Sequence, residues 1–436
     1  MLLVRPKFSS IVASLEPLGL EYVGGMLGEI GVEYEIWDEF VRPWAFRFGR
    51  MAGRIRSGGF DCVGFNANAN TVDYIIDTSR KLKKRFPGIT TFVGGPEAEL
   101  NYMDFCVDGV DYVFHDNSLA SMKRIVEGDF ALPILREATG VCFRDGNKWV
   151  NREKCPPVDD FICKPDRSEL YRNIKKNFMF CKGSHAIIKA SWSCPFKCSF
   201  CYCTKMNSGV YTERCVEDVI EEVKSLDVER IWFVDDTFLL NKERVKVFCN
   251  RILEEGIQKQ FMAYSRADFL AENPDILPLL YKAGFRDILV GLEAVADDLL
   301  EEYNKQTTRE QNELAIKHLR EAGIVCNGLF VVSHKSRHQD FAALHKFIKD
   351  NKLLWVVLGI FTPYKGTDSY EEYKDQLVNF KSRRLDGLHI TIKPEHMSSF
   401  LFMVRTYWLY VVTYPKTIFR TWMGTAYDTR KHGWLR

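Results

Sequence analysis

The first third of the chain alternates short β-branched apolar runs with stretches whose apolar residues recur at helical spacing. Strands are predicted at 2–5, 32–37, 62–66, 90–93 and 112–115, with amphipathic helices at 18–30 and 72–85. This alternation predicts a doubly wound, Rossmann-like parallel sheet, which binds ligands beyond the carboxyl ends of its strands. Glycines follow one strand directly in Phe92-Val-Gly-Gly-Pro-Glu97, where backbone can approach a ligand closely. A hairpin is predicted at 141–150, turned at Asp145-Gly146. Pro156-Pro157 and Asp159-Asp160 then mark a linker.

From residue 184 the strand–helix pattern resumes, with strands predicted at 186–191, 230–234, 261–264, 287–292, 326–332 and 355–361. Each ends in polar residues, the pattern of a (β/α) barrel that gathers its chemistry at the strand ends. After residue 370 the chain becomes helix-rich, aromatic and basic, with Tyr407, Trp408, Tyr410, Tyr414, Trp422 and Trp434. Aromatics at helical spacing usually form core; the tyrosines or His389 lining a substrate channel are the alternative. The expected fold class is α/β. A Rossmann-like domain (1–130) precedes a hairpin and linker (131–183), a partial (β/α)6 barrel (184–370) and a helical extension (371–436).

Composition narrows the partners. Sixty basic and 58 acidic residues leave a net charge of +2, which argues against a nucleic-acid-binding field. The longest apolar stretch, 400–414, is interrupted by Arg405 and is shorter than the roughly 20 residues a bilayer span requires, so no membrane span is expected. Arg5, Pro6 and Lys7 cut short the apolar start, so no secretory leader is expected. Thirteen cysteines, clustered once and otherwise scattered, indicate a reducing, cytoplasmic setting.

The one cluster is Ser193-Cys-Pro-Phe-Lys-Cys-Ser-Phe-Cys-Tyr202. Cys194, Cys198 and Cys201 are spaced C-x3-C-x2-C, which suits an iron–sulfur cubane held through three irons with the fourth open. A structural zinc site, with Cys203 or His185 as fourth ligand, is the alternative, although zinc more often uses paired C-x2-C knuckles. The apolar run Ala186-Ile-Ile-Lys-Ala-Ser-Trp192 reads as the strand that delivers this loop.

On these residues the chain resembles the radical S-adenosylmethionine (SAM) enzymes. The resemblance implies that the three cysteines hold a 4Fe–4S cluster, that SAM chelates its open iron, and that reductive cleavage gives a 5′-deoxyadenosyl radical. Ile231-Trp-Phe-Val-Asp-Asp-Thr-Phe238, Tyr264-Ser-Arg-Ala-Asp268, Val290-Gly-Leu-Glu-Ala294, Tyr303-Asn-Lys-Gln-Thr307 and Phe361-Thr-Pro-Tyr-Lys-Gly-Thr367 are similar to further segments of that superfamily. By this resemblance Phe200, Asp235, Asp236, Arg266 and Glu293 contact SAM. Of the two aspartates, one is expected to contact SAM and one to cap the next helix. Arg266 is expected to meet the SAM carboxylate or to pair with Glu293. Val331-Val-Ser-His-Lys-Ser-Arg337 departs from the Gly-x-Pro-Gly-Glu of relatives, and His334 reads as an exposed loop histidine or a specificity residue.

The first domain looks like the cobalamin-binding domain found before many such barrels. The matching positions are Pro17, Leu18, Asn66, Asn68, Thr71, Gly94, Gly95 and Pro96. No D-x-H-x-x-G run exists, so the usual lower cobalt ligand is missing. Cys62, Cys106 and Cys142 are the candidates for a second cluster, but Cys62 reads as a buried small hydrophobe. Together the resemblances imply a cobalamin-dependent radical SAM methyltransferase acting on an unactivated carbon, with an electron donor such as ferredoxin or flavodoxin. Its substrate would be a small molecule or a protein side chain, as in the methylases that modify methyl-coenzyme M reductase. A non-methylating radical SAM enzyme and a non-catalytic corrinoid-binding protein are the alternatives.

Overall fold

The computed structural model describes residues 1–7, 13–41, 48–116, 119–154, 163–174, 178–179, 185–378 and 381–414. The linker at 156–160, Trp422 and Trp434 lie outside the described residues. Strands β1 (Leu2–Arg5), β2 (Glu35–Asp38), β3 (Cys62–Asn66), β4 (Thr90–Gly94) and β5 (Tyr112–Phe114) form a parallel sheet in the order β2-β1-β3-β4-β5. The hairpin β6 (Val141–Asp145) and β7 (Lys148–Arg152) continues this sheet antiparallel, beyond the boundary drawn near residue 130. Strand β1 is buried on both faces: Leu2 and Val4 enter one apolar cluster and Leu3 the other. That double burial explains its uninterrupted apolar run. Because the chain leaves β1 first to one side and then to the other, the switch point lies between β1 and β3.

The second sheet is all parallel and follows chain order: β8 (Ala186–Ile188), β9 (Arg230–Phe233), β10 (Gln260–Arg266), β11 (Phe285–Glu293), β12 (Val325–Val332) and β13 (Trp355–Ile360). Phenylalanines 233, 238, 248, 261 and 285 pack together beneath it, the rings of Phe233 and Phe238 stacked 4.2 Å apart. The strand predicted at 186–191 ends at Ile188. Ser191–Trp192 instead pairs antiparallel with Thr212–Glu213 and closes the base of the cysteine loop.

Helix Ser399–Thr413 lies along β13. The Tyr410 hydroxyl accepts from the Leu358 amide at 2.8 Å and donates to the Leu358 carbonyl at 3.0 Å, and the Tyr414 hydroxyl donates to the Val356 carbonyl. The amide of Ile360 donates to the Gly387 carbonyl at 2.6 Å. The aromatic end is thus only partly core, since Tyr407 and Trp408 face outward. His389 is exposed and bonds Asp386 at 3.0 Å.

A buried ion cluster joins the two sheets. Glu16 and Glu21 from the first domain meet Arg167 of the connecting segment at 3.2 Å each, and Arg167 reaches Glu222 on the first barrel helix at 2.5 Å. Glu222 is shared with Arg214, and Glu16 also accepts from the Ile187 amide in β8.

Candidate functional site

The cysteine loop leaves the carboxyl end of β8 and is fastened from three sides. Its own turn closes with the Cys201 amide on the Cys198 carbonyl at 3.2 Å. The Ser199 amide donates to the Tyr303 carbonyl at 3.0 Å, Asn304 Nδ2 to the Lys197 carbonyl at 2.7 Å, and the Ser369 amide to the Ser199 carbonyl at 3.0 Å. Phe200, predicted beside SAM, packs edge-on against Tyr303 at 5.2 Å. Cys198 is buried, while Cys194 and Cys201 are half-buried. Burial pushes the Cys194 thiol up to about 11. Among the described residues, no three His, Cys, Asp or Glu side chains converge on a single metal ion. Three soft thiolates spread along one loop, with cations beside Cys198, fit a cluster in which each thiolate meets a different iron.

Those cations come from two predicted segments. Arg266 stacks 3.6 Å over the Phe196 ring, and its Nη1 lies 3.9 Å from Cys198 Sγ. Its remaining donors go to Asp268, at 2.8 to 3.1 Å, and to the Lys305 carbonyl at 2.6 Å. Arg266 therefore clamps the cysteine loop, and its carboxylate partner is Asp268, not Glu293. Glu293 pairs instead with Lys305, Nζ to Oε1 at 2.8 Å. Sequence reasoning quoted the Lys305 segment but gave that lysine no role; a lone Lys in an Asn-Lys-x-Thr turn carries no signal of burial.

The two aspartates after β9 divide their work differently from the expectation. Asp235 is fully buried and accepts from the Ala190 amide at 3.0 Å and the Ser191 hydroxyl at 2.5 Å, holding the entry to the cysteine loop. Its Oδ2 is buried with no hydrogen-bond partner, and burial raises its pKa. Asp236 is half-buried, 3.8 Å from Lys189 Nζ. Neither caps the following helix, because Asn241 does so through the Arg244 amide at 3.2 Å. Asp236 and the orphaned oxygen of Asp235 are the polar groups left for a ligand at this strand end. His334, expected on an exposed loop, is buried at 3% exposure between Phe361 and Tyr373, with ring distances of 5.4 and 4.9 Å. The extension encloses it, since the Glu395 amide donates to the His334 carbonyl at 3.0 Å.

At the carboxyl ends of β3 and β4, Asn66 to Thr71 and Gly94 to Pro96 lie side by side. The Ala67 amide donates to the Gly94 carbonyl at 2.7 Å and the Glu97 amide to the Ala67 carbonyl at 3.1 Å. Gly95 has φ +99°, and a Cβ there would sit 2.8 Å from Asn66 Nδ2 and 3.0 Å from the Ala67 backbone. Only glycine fits that turn. Thr71 both accepts from the Asn68 amide and donates to its carbonyl, each at 2.9 Å, so it shapes the loop. Asn70, which the sequence reading passed over, has a buried Oδ1 without a partner. Pro17 and Leu18 open the helix Leu18–Glu29 that packs beneath this end. An orphaned amide oxygen beside a glycine turn, beyond the carboxyl ends of the strands, fits a ligand with polar side groups such as a corrinoid. Cys62 is buried among apolar residues as expected, and Cys106 and Cys142 contact each other at 3.4 Å.

The two sites face one another. Helix Pro96–Asn101, which rises from the glycine turn, accepts the Asn207 amide of the cysteine segment on Glu99 at 2.5 Å. Asn101 donates to the Lys365 carbonyl at 3.3 Å, and Lys365 Nζ pairs with Asp104 at 2.5 Å.

Comparison with known proteins agrees with this geometry. Residues 191–348 match the model of the radical SAM superfamily, and residues 8–122 match that of the B12-binding domain. A hopanoid C-3 methylase of Methylococcus capsulatus is 26% identical over 393 residues, covering 88% of this chain and 74% of the relative. An anaerobic magnesium-protoporphyrin IX monomethyl ester cyclase of Cereibacter sphaeroides is 23% identical over 414 residues, covering 91% of this chain and 67% of the relative. The solved radical SAM methyltransferase TsrM of Kitasatospora setae, with cobalamin and a 4Fe–4S cluster bound, shares the fold at a TM-score of 0.66 and 16% identity, over 87% of this chain and 78% of that one. No helix among the described residues is long and apolar enough to cross a membrane.

Proposed function

We infer, for a chain that joins a B12-binding domain to a radical SAM domain, that it is a cobalamin-dependent radical SAM methyltransferase acting on an unactivated carbon. The observation that carries this reading is the contact between the sites: helix Pro96–Asn101 leaves the corrinoid turn and bonds both the cysteine segment and the last barrel turn. When bound, the cluster with SAM supplies hydrogen-atom abstraction and the corrinoid supplies the methyl group, which is the difficult chemistry such cofactors bring.

The protein's share is binding, orientation and exclusion of water. Cys194, Cys198 and Cys201 hold the cluster, while Arg266 and Asp268 fix the loop that carries them. In this reading Glu293, Asp236 and Asp235 Oδ2, which has no partner within the protein, accept hydrogen bonds from SAM, and Phe200 meets its apolar edge. Asn66, Asn68, Asn70 and the Gly94-Gly95-Pro96 turn hold the corrinoid. The substrate then occupies the space between the two faces. A reducing, cytoplasmic setting with ferredoxin or flavodoxin as electron donor suits this chemistry. The substrate class extends from a polycyclic lipid, as the hopanoid methylase suggests, to a small molecule or a protein side chain such as one of methyl-coenzyme M reductase.

Anaerobic reconstitution with iron, sulfide and hydroxocobalamin, followed by reduction with SAM, tests this reading. Retained corrinoid with both S-adenosylhomocysteine and 5′-deoxyadenosine supports it. Deoxyadenosine without S-adenosylhomocysteine supports instead a non-methylating reaction, the reading favoured by the cyclase relative.

A further inference from the structure

Helix Arg309–Glu321 buries Asn312, Ala315, Ile316 and Leu319, which follow the i, i+3, i+4, i+7 spacing of an apolar stripe. Asn312 is the polar exception, and it is fully buried. An apolar side chain there would favour the helix and avoid the orphaned Oδ1 that the amide leaves inside the protein. The amide therefore serves something besides packing. Its Nδ2 donates to the Leu292 carbonyl at 3.0 Å and to the Ala294 carbonyl at 3.4 Å, the two carbonyls that flank Glu293.

That turn needs a clamp. Glu293 is a non-glycine residue at φ +56°, a conformation that persists only where the surroundings enforce it. The Ala294 amide closes the turn on the Leu292 carbonyl at 2.7 Å, and Asn312 grips both of its ends. The same helix also places the partner of Glu293. Its start is fixed by Thr308 and Gln311, whose side chains each accept the other's amide, at 3.2 and 3.0 Å. The Arg309 amide adds a bond to Asp297 at 2.7 Å. Lys305 stands three residues before that cap, between Asn304 at φ +47° and Gln306 at φ +56°. One helix thus holds both halves of the Glu293–Lys305 pair.

We propose that Asn312 is a positioning residue for SAM binding: by clamping the turn at Glu293, it keeps that carboxylate where SAM meets it. The inference rests on the reading of Glu293 as a SAM contact. Without the clamp, the backbone at Glu293 relaxes toward the extended region and the carboxylate leaves its place.

A double-mutant cycle on the full, cluster-loaded chain tests the proposal. SAM binding is followed by equilibrium dialysis and by the change that SAM makes in the electron paramagnetic resonance signal of the reduced cluster. The second arm of the cycle is Glu293→Ala with Lys305→Met, which removes the carboxylate without stranding its lysine. Asn312→Ala and this charge-free pair are each expected to weaken SAM binding about tenfold, and their combination to bind no more weakly than the charge-free pair alone. Iron and sulfide content should match the parent throughout. Asn312→Ser, whose hydroxyl is too short to span both carbonyls, is measured alongside and carries the cycle if the alanine variant folds poorly. Losses that multiply in the combination, or parental affinity in both Asn312 variants, overturn the inference and leave Glu293 a SAM contact. Loss of iron from both Asn312 variants overturns it as well, since the residue then supports the fold and not the contact. Parental affinity in the charge-free pair overturns the reading of Glu293 and this inference with it.

Discussion

Lys305 Nζ stands 2.8 Å from Glu293 Oε1, and both side chains are nearly shut off from solvent. Three local features create the pair. A register shift between Gly291 and Glu293 ends the fourth barrel strand, and Glu293 takes φ +56°, which turns its side chain back along the strand. Gly291 leaves the space: a Cβ there would sit 2.6 Å from Glu293 Oε1 and 2.8 Å from Lys305 Nζ. Lys305 to Met strands a buried carboxylate and is expected to cost about 3–5 kcal/mol. Gly291 to Ala should displace the pair and weaken SAM binding several-fold while leaving iron content intact. Denaturant midpoints and equilibrium dialysis with SAM measure the two effects.

Cys203 is the thiol that stands against the cysteine loop, joined to Cys201 by a side-chain hydrogen bond. Alanine at Cys194, Cys198 or Cys201 is expected to leave reconstituted protein with less than a full complement of iron and sulfide. SAM cleavage should be undetectable in all three. Alanine at Cys203 should retain both the cluster and cleavage. Iron and sulfide assays on the four variants decide this, and a Cys203 variant that loses iron would make that thiol a ligand.

The ion cluster between the domains sets a pH dependence. Three carboxylates (Glu16, Glu21, Glu222) share two guanidiniums (Arg167, Arg214), so one negative charge is uncompensated. Burial, partly opposed by Arg167, raises the Glu16 pKa from 4.5 to about 7. The folded protein therefore binds this proton more tightly than the unfolded chain does. Its contribution favours folding fully below about pH 4.5 and is lost as pH rises through about 7. Glu16 to Gln balances the charges, still accepts the Ile187 amide, and should flatten stability between pH 5 and 8. Arg167 to Met should cost about 3–5 kcal/mol. Urea unfolding at both pH values measures each.

Cys106 and Cys142 offer a covalent test of the first domain. Their sulfurs lie 3.4 Å apart, and the hydrogen bond between them lowers the pKa of Cys142. Mild peroxide should join them, the two thiols losing two protons and two electrons as peroxide is reduced to water. Peptide mapping should find a 106–142 cross-link ahead of oxidation at Cys62, because Cys106 is only half-buried whereas Cys62 is buried.

What the sequence made legible was what period and spacing encode. The helix predicted at 72–85 is the helix Val72–Arg85, and each of the six barrel strands lies where alternation put it, although the first stops at Ile188 and not at 191. The cysteine spacing singled out the loop that leaves the carboxyl end of β8 for the same reason, since spacing is local. Partner choice was not legible. That Arg266 takes Asp268, that Glu293 takes Lys305, and that Asp235 serves its own strand are decided by loops far apart in the chain. His334 was misplaced because its cover comes from residues 361, 373 and 395, which no local pattern announces.

The last barrel strand would otherwise present a bare edge. Of its outward backbone groups, the Val356 carbonyl is engaged by the Tyr414 hydroxyl, both groups of Leu358 by the Tyr410 hydroxyl, and the Ile360 amide by the Gly387 carbonyl. Two phenols and one loop thus stand in for a missing seventh strand and deny other chains a template for edge-to-edge growth. The helix that supplies the phenols cannot leave the sheet without uncovering that edge, and loss of Tyr410 should register first as aggregation.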